Sequence, residues 1–518
     1  MHYSNLSLCL PLLNATTTQA VSLDPATKDD DAPIVPKDFV GFGIENAFLN
    51  NYANDFSNNL IASIADRMGA PPVLRVGGTS GDKFSYDPSQ TENRICLERN
   101  GSDCPNGSDA YYSLGPSFFE GFQSFQSAKI NIQAPLNSTV NLTMTLAYVT
   151  QAWENVGAER VDAIALGNEP EWYDATAEKY VDDALQIQAA IIDALNLTGD
   201  ARKIFEASNT ASENAGTGNK WKLSDALSAG MNNNGLLKNT AEHYYQVKPP
   251  QTWNDATMQA RMLNHYTITN RLANYSESIQ ASKAMGLPYY IDEDAAVLGG
   301  APPQFQSGFG YALWAVDFNL LCMTRGVARV NNLAGRPSAS RQFWVPDDSA
   351  VDTNTGPQVR APFPAAAYVA DFIGAEGDTA VQEIDLGEDR PYLSAYSAYD
   401  NASGALLRLA LVNLRLYNGT LGGERGSEDF NVTLPAGVTS VTVRRLHADL
   451  GAAAQGFDYA GPTHNVSWAG EQWSYSVDLG KGHYTTGSPV METINVDDGV
   501  ATVNVLNSEA VIVYIDGM

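Results

Sequence analysis

Between Phe39 and about Leu333 the chain alternates eight short β-rich runs with helix-like segments, and this alternation restricts the architecture more than any other feature. The runs are FVGFGIE, PVLRVGG, INIQAPL, VDAIALGNE, KIFEASN, MLNHYTI, LPYYIDEDA and GVARVNNL. Between them lie amphipathic or apolar stretches such as LIASIADRMG, VTQAWENVG, YVDDALQIQAAIIDALN and YALWAVDFNLLCMTRG. Continuous apolar strands interleaved with helices imply a parallel sheet covered on both faces. Eight such units in roughly 300 residues predict an α/β chain built on a (β/α)8 TIM barrel, placed at residues 38–350. A doubly wound open sheet would want a Gly-rich nucleotide turn after its first strand, and GFGIEN lacks the third glycine of that turn. No phosphate loop, G-x-S-x-G elbow or H-E-x-x-H pair occurs.

Past about Pro364 the pattern changes to short runs, several alternating, parted by Gly, Asn and Asp turns: YLSAYSAY, ALLRLALVNL, FNVTLP, SVTVRRLH, WSYSVDL, ATVNVLN and AVIVYID. That predicts a C-terminal antiparallel β-sandwich domain at residues 351–518. The segment 21–37 is too short to fold alone and is expected to add a strand to it. Residues 1–20 carry a short apolar core, Leu6 to Leu13, and small residues near Ala20, the outline of a secretory signal peptide. Asn-x-Ser/Thr sequons recur at Asn100, Asn106, Asn137, Asn141, Asn196, Asn274, Asn401, Asn418, Asn431 and Asn465, a density that suits a secreted, glycosylated surface.

Charge narrows the partners. Lys plus Arg is 31 and Asp plus Glu is 59, a formal net charge of −28. A field of that sign repels nucleic acid and anionic membrane surfaces, so neither is an expected partner. With 44% hydrophobic and 17% charged residues the chain is globular, and no run of about 18 apolar residues could span a bilayer. Of four cysteines, Cys9 would leave with the signal, Cys96 and Cys104 flank a polar loop that a disulfide could close, and Cys322 lies in an apolar run as an inert core thiol. No Cys/His spacing suggests a metal site, and of the six histidines only His265 falls near candidate chemistry.

In a barrel of this kind, polar groups at the C-terminal ends of strands face the active site. Strand four ends in Asn168-Glu169-Pro170 and strand seven in Asp292-Glu293-Asp294. Either triplet alone reads as turn punctuation. Together, on strands across the mouth from one another, they supply the two carboxyl groups that glycoside hydrolysis needs, one to protonate the leaving oxygen and one to attack or activate water. Asn168 is placed to bond a sugar 2-hydroxyl, and Tyr266, read as the end of strand six, to hold the second carboxylate. Arg75 in LRVGG is placed to pair with a carboxylate inside the barrel. In a regular strand Asp292 and Asp294 face away from Glu293, so Asp292 is expected in the structural shell.

The ordered series FVGFGIEN, LRVGGTSGDKFSYDP, GPSFFEGFQSF, ALGNEPEWY, LNHYT, YYIDEDAAVLGG and YALWAVDFNLLCMTRGVARVNN resembles glycoside hydrolase family 79, the β-glucuronidase and heparanase group of clan A, in its secreted fungal branch. The resemblance runs from about Phe39 to the C-terminus. It implies a secreted, retaining exo-enzyme removing glucuronic acid or its 4-O-methyl form from glycan or glycoside termini, a carbohydrate substrate, no cofactor and a monomer. Glu169 would be the general acid/base and Glu293 the nucleophile, with Asn168 on the 2-hydroxyl, Tyr266 orienting Glu293, and Asp82 and Glu45 as further sugar contacts. Family members often carry Tyr five residues after the nucleophile, where it binds the uronate carboxylate; here that position is Leu298. Backbone amides of Gly299 and Gly300, with Arg336 or Arg341, would have to bind the uronate instead. A β-glycosidase on a neutral sugar and an inactive carbohydrate-binding homologue are the other readings.

Overall fold

The structure is a computed structural model that describes residues 20–25, 27–97, 110–136, 140–174, 176–215, 220–250, 252–299, 301–335, 343–348, 356–456 and 465–515. Eight parallel strands close into a barrel in chain order: β1 (Val40–Glu45), β2 (Val73–Gly77), β3 (Lys129–Ala134), β4 (Val161–Leu166), β5 (Phe205–Thr210), β6 (Leu237–Val247), β7 (Tyr289–Val297) and β8 (Val327–Gly335). Seven of the eight fall on the expected runs. The sixth does not: MLNHYTI forms the turn after the helix Asp255–Arg261 and the start of the helix His265–Leu272, and β6 is formed instead by LKNTAEHYYQV. The side chains of Asn254 and Asn264 cap those helices by accepting from the backbone N–H groups of Thr257 and Thr267, each at 2.9 Å, which outweighs the β preference of the Tyr-Thr-Ile run.

Helices cover the outside. Asp55–Met68 follows β1 and stops at Gly69, whose φ of +62° is the left-handed cap an L side chain would resist. Phe309–Thr324 follows β7, and its first fifteen residues, Phe309 to Met323, are buried on all sides, because it is walled by β8, the helix Pro362–Ile373 and strands of the second domain. Cys322 in that helix is buried and free. Pro362–Ile373 packs on Asp55–Met68 and Phe309–Thr324 and so closes the helical ring. The barrel therefore reaches past residue 350, and the second domain begins at Thr379.

That domain is a sandwich. Its large sheet is antiparallel and includes Thr379–Ile384, Leu393–Asp400, Leu406–Asn413, Ser440–Ala448 and Glu509–Ile515. The small sheet pairs Ser427–Thr433 with Val500–Leu506. Leu409, Leu411, Phe430, Val432, Val443, Val503, Val511 and Val513 fill the space between them. The N-terminal segment joins this domain twice: Val21–Leu23 runs parallel to Ser427–Thr433, and Ile34–Val35 pairs antiparallel with Thr379–Ile384. Val21 and Leu23 are buried in its core.

The barrel interior is not the usual aliphatic stack. Arg75, Asn131, Glu206, Asn239, Asp292 and Asn331 occupy it, each at 0–1% exposure. Burying so many polar groups is tolerable only if they satisfy one another, and that lattice is the floor of the site described next.

Candidate active site

Glu169 stands at the C-terminal end of β4, in a left-handed backbone conformation with φ +47°. Its N–H donates to the carbonyl of Asn209 at the tip of β5 (2.9 Å), itself at φ +53°. Such a conformation costs a non-glycine residue roughly 1–2 kcal/mol, and two of them at adjoining strand tips mark a strained rim. His243 Nδ1 lies 3.0 Å from Glu169 Oε1. The other ring nitrogen, Nε2, faces Arg75 Nη2 at 3.4 Å. Since a guanidinium only donates, Nε2 is the acceptor and Nδ1 carries the proton toward Glu169.

Glu293, on β7, receives two donors. Arg75 Nη1 donates to its Oε2 at 3.0 Å, and the Tyr245 hydroxyl donates to its Oε1. Both favour the carboxylate form. Arg75 also donates through Nη2 to the side-chain oxygen of Asn168. With that oxygen engaged, the amide NH2 of Asn168 is the group left to meet a hydroxyl. Arg75 thus ties Glu293, Asn168 and His243 into one network, and Glu169 joins it through His243. His243 and Tyr245 sit two apart on β6 and share its inner face, while Tyr244 between them points outward and stacks on Phe318. His243 pairs in register with Glu293 across the β6–β7 ladder.

Glu45, at the end of β1, accepts from the hydroxyl of Ser80 at 2.6 Å and from its N–H at 3.3 Å. Burial first, and then the neighbouring Glu293, push its pKa up to about 7. Asp82 has another job than the one expected. Its two oxygens accept the backbone N–H groups of Leu136 and Asn168, each at 3.2 Å, so it fixes the tips of β3 and β4. Beneath Glu169, Glu171 accepts from Ala211 N–H at 2.6 Å, and burial, followed by repulsion from Glu169, raises its pKa to about 8.

Several expectations are corrected here. Tyr266 is 48% exposed on the helix His265–Leu272 and lines a surface crevice with Glu383 and Arg390; the tyrosine that touches Glu293 is Tyr245. His265 is equally remote, held by Asp317 and Glu383, and the histidine of the site is His243. The pair was detectable as the alternation His243-x-Tyr245, but a strand whose inner face is polar does not look like a buried one. Asp292 does not turn away from Glu293. The pairing of β7 slips at this point: neighbours Glu242 and His243 on β6 face Ile291 and Glu293, leaving Asp292 as the extra residue. The bulge lets both acids reach Arg75, Asp292 through Nε at 3.4 Å. Asp294 points outward, where it accepts Leu333 N–H at 3.0 Å; burial raises its pKa to about 8.

Leu298 is packed against the core with its N–H on the carbonyl of Val247. Gly299 follows at φ +76°, its carbonyl accepting from Gln306 Nε2. Gly300, Arg336, Arg341 and Cys104 lie outside the described residues, as does residues 1–19 of the expected signal; Cys96 is disulfide-bonded. Among the described residues no group of three His, Cys, Asp or Glu side chains is placed to hold a metal ion, and no helix is long and apolar enough to cross a membrane.

Comparison with known proteins agrees with this geometry. Residues 395–512 match the model of the glycosyl hydrolase family 79 C-terminal beta domain. A β-glucuronidase of Aspergillus niger is 28% identical over 543 aligned positions, covering 96% of this chain and 94% of the relative. A β-glucuronidase of Neurospora crassa is 29% identical, covering 88% of each. Among solved structures, a 4-O-α-L-rhamnosyl-β-D-glucuronidase from Fusarium oxysporum superposes with a TM-score of 0.77 at 19% identity, over 95% of this chain and 100% of that one. A family 51 arabinofuranosidase from Xanthomonas axonopodis gives 0.61 at 14% identity, over 94% and 98%. The barrel-plus-sandwich architecture is shared by both. These findings bear out the resemblance to family 79 and make this chain a glycoside hydrolase carrying that family's C-terminal domain.

Proposed function

We propose that this chain is a secreted, retaining exo-β-glucuronidase that releases glucuronic acid or its 4-O-methyl form by double displacement. The observation that carries the reading is the unequal environment of two carboxyl groups in one network. Glu293 is held by a guanidinium and a phenol, the setting of an ionised nucleophile. Among the described residues Glu169 has one side-chain partner, the imidazole of His243, and it is the more exposed of the two, at 24% against 11% of its side chain.

In the first step Glu293 attacks the anomeric carbon while Glu169 gives its proton to the leaving oxygen. A covalent glycosyl ester forms on Glu293 and the aglycone departs. In the second step Glu169, now a carboxylate, takes a proton from water, which attacks the same carbon and frees Glu293. The Asn168 amide bonds the 2-hydroxyl, a contact that strengthens as the ring flattens. Two carboxyl groups supply all the acid–base and nucleophilic work, so no metal or organic cofactor enters the scheme.

The choice of sugar rests on the relatives, since two fungal proteins similar along nearly all of this chain carry the name β-glucuronidase. Leu298, where a uronate-binding tyrosine is expected, favours a neutral β-linked sugar as the second reading. Secretion rests on the N-terminal apolar segment and the sequons. Parallel assays on aryl β-glucuronide, β-glucoside and β-xyloside decide the sugar. Glu169→Gln and Glu293→Gln should each abolish turnover with melting temperatures near that of the unaltered protein, and proton NMR of the first-formed product should show the β-anomer. An α-anomer, or full rate in both variants, refutes the mechanism.

A further inference from the structure

We propose that Asp292 and Glu206 form a buried acid–carboxylate pair, the proton on Asp292 and the single negative charge on Glu206, that holds Arg75 in place beneath Glu293. The proposal rests on Glu293 being the nucleophile and adds positioning residues to that site. Both side chains are fully buried inside the barrel and meet at the amide of Asn131, which lies 2.8 Å from Glu206 Oε1 and 3.4 Å from Asp292 Oδ2.

Donors decide which of them is charged. Glu206 Oε1 accepts from the amides of Asn131 at 2.8 Å and Asn209 at 2.9 Å, and Oε2 accepts from the amide of Asn239. A carboxylate accepts only, so three converging N–H donors select the anion. Asp292 is different. Its Oδ1 accepts from the amide of Asn331, but Oδ2 meets Asn131 Nδ2 and Arg75 Nε only at 3.4 Å each, longer than any of the three donor contacts on Glu206. That is the pattern of a hydroxyl oxygen whose hydrogen points at Glu206. Burial, and then the Glu206 charge, hold the Asp292 proton on well above the usual carboxyl range, in agreement.

The other charged groups around Asp292 are accounted for. Arg75 comes from β2 and Glu293 from its own strand. Glu45 of β1 lies across Arg75. Arg329 of β8 is committed to Asp162 of β4, at 2.7 Å, and to Asp38. β3 and β6 contribute Asn131, Asn239 and His243. One negative charge rather than two below Arg75 leaves the guanidinium free to attract Glu293. Two would repel Glu293 and draw Arg75 downward.

The test is the acid limb of the kcat/KM profile, which reports the ionisation of the nucleophile in the free enzyme. It is read on whichever aryl β-glycoside the unaltered protein hydrolyses, so an error in the sugar assignment does not touch it. Asp292→Ala should lower kcat by at least about tenfold, and Asp292→Asn should restore it to within about threefold, because the amide donates to Glu206 and accepts from Asn331 as the acid does. The acid limb of Asp292→Asn should stay within about 0.3 pH unit of the unaltered profile, whereas Glu206→Gln, which removes the charge, should move it down by about one unit. If Asp292→Asn moves the limb as far as Glu206→Gln, or fails to fold, Asp292 is an anion and the proposal is overturned. Full activity in Asp292→Ala overturns it too. Should Glu206→Gln fail to fold, the alanine and asparagine variants at 292 still decide. Residual turnover in Glu293→Gln is a separate result that removes the nucleophile reading itself.

Discussion

Replacing His265 by glutamine should destabilise the protein strongly in mild acid, hardly at all near pH 10, and leave turnover intact. His265 begins the helix His265–Leu272 on the barrel and is 15% exposed as a side chain. Its Nδ1 contacts Asp317 at 2.9 Å and its Nε2 contacts Glu383 at 2.8 Å. Asp317 lies in the fully buried helix Phe309–Thr324 and also accepts from Ser394 and Tyr396; Glu383 belongs to the sandwich strand Thr379–Ile384. One imidazolium therefore joins the two domains. Burial works against the charge, but Asp317 and then Glu383 outweigh it and raise the pKa to about 10, against 6.5 ordinarily. At about 1.4 kcal/mol per unit the shift bounds the contribution at roughly 5 kcal/mol. Relaxation and partial solvent access bring the expected loss to about 3 kcal/mol, in the range for removing one partner of a buried pair. A raised histidine pKa stabilises fully below the unfolded value and fades as pH climbs through the folded one. Denaturant unfolding at about pH 5.5 should thus show nearly the full loss, and at about pH 10 less than about a fifth of it. An equal loss at both pH values, or none at pH 5.5, refutes the argument. A fall in kcat/KM at unchanged stability would return His265 to the catalytic chemistry from which its position removes it.

Four further outcomes follow from the same geometry. Tyr245→Phe should lower kcat about 10- to 100-fold, the value of a hydrogen bond to a charged group, while Tyr266→Phe stays within twofold of the unaltered protein; the reverse order would restore Tyr266 to Glu293. Gly78→Ala should impair sugar binding, because at φ +81° an added Cβ would meet the Glu45 carboxylate at 2.5 Å; an unchanged KM would detach Glu45 from the sugar. Buried Glu45, Glu171 and Asp294, raised to about 7, 8 and 8, bind protons in the fold that the unfolded chain has released, so their contribution to stability declines from about pH 4 to pH 8. Asp294→Asn should flatten that decline in melting curves, and an unaltered slope would place its ionisation elsewhere. Trp172 is 51% exposed on the turn that begins at Glu169, three residues from the proposed general acid; Trp172→Ala should lower kcat/KM on an oligosaccharide more than on an aryl glycoside, and equal effects would deny it a role in stacking on the aglycone.

The barrel was legible because parallel strands covered on both sides must be apolar almost throughout, and β4 with VDAIAL comes near to meeting that demand in plain view. β6 was hidden by its function. Asn239, His243 and Tyr245 face the interior, so TAEHYYQV lacks the apolar signature, and the neighbouring MLNHYTI offered aromatic and β-branched residues that the Asn264 cap turns into helix. Tyr266 and His265 were carried into the site by that displacement, and His243 and Tyr245 were left out of it. Glu169 and Glu293 needed no such register, because strand ends are marked by Pro170 and by the polar triplet Asp292-Glu293-Asp294.

What spacing could not convey is the pairing across the barrel. Asn131, Glu206, Asn239, Asp292 and Asn331 come from five strands, and each looks alone like a misplaced polar residue. Strict alternation also sends Asp292 outward; only the slip opposite Glu242 and His243 turns it inward. The slip and the lattice require each other. Without the extra residue Asp292 could not face the interior, and without Asn131, Asn331 and their neighbours an inward acid would be an unsatisfied buried polar group. A strand carrying two consecutive inward acids is therefore built for the interior it meets. The nucleophile's position over Arg75 follows from that floor as much as from β7 itself.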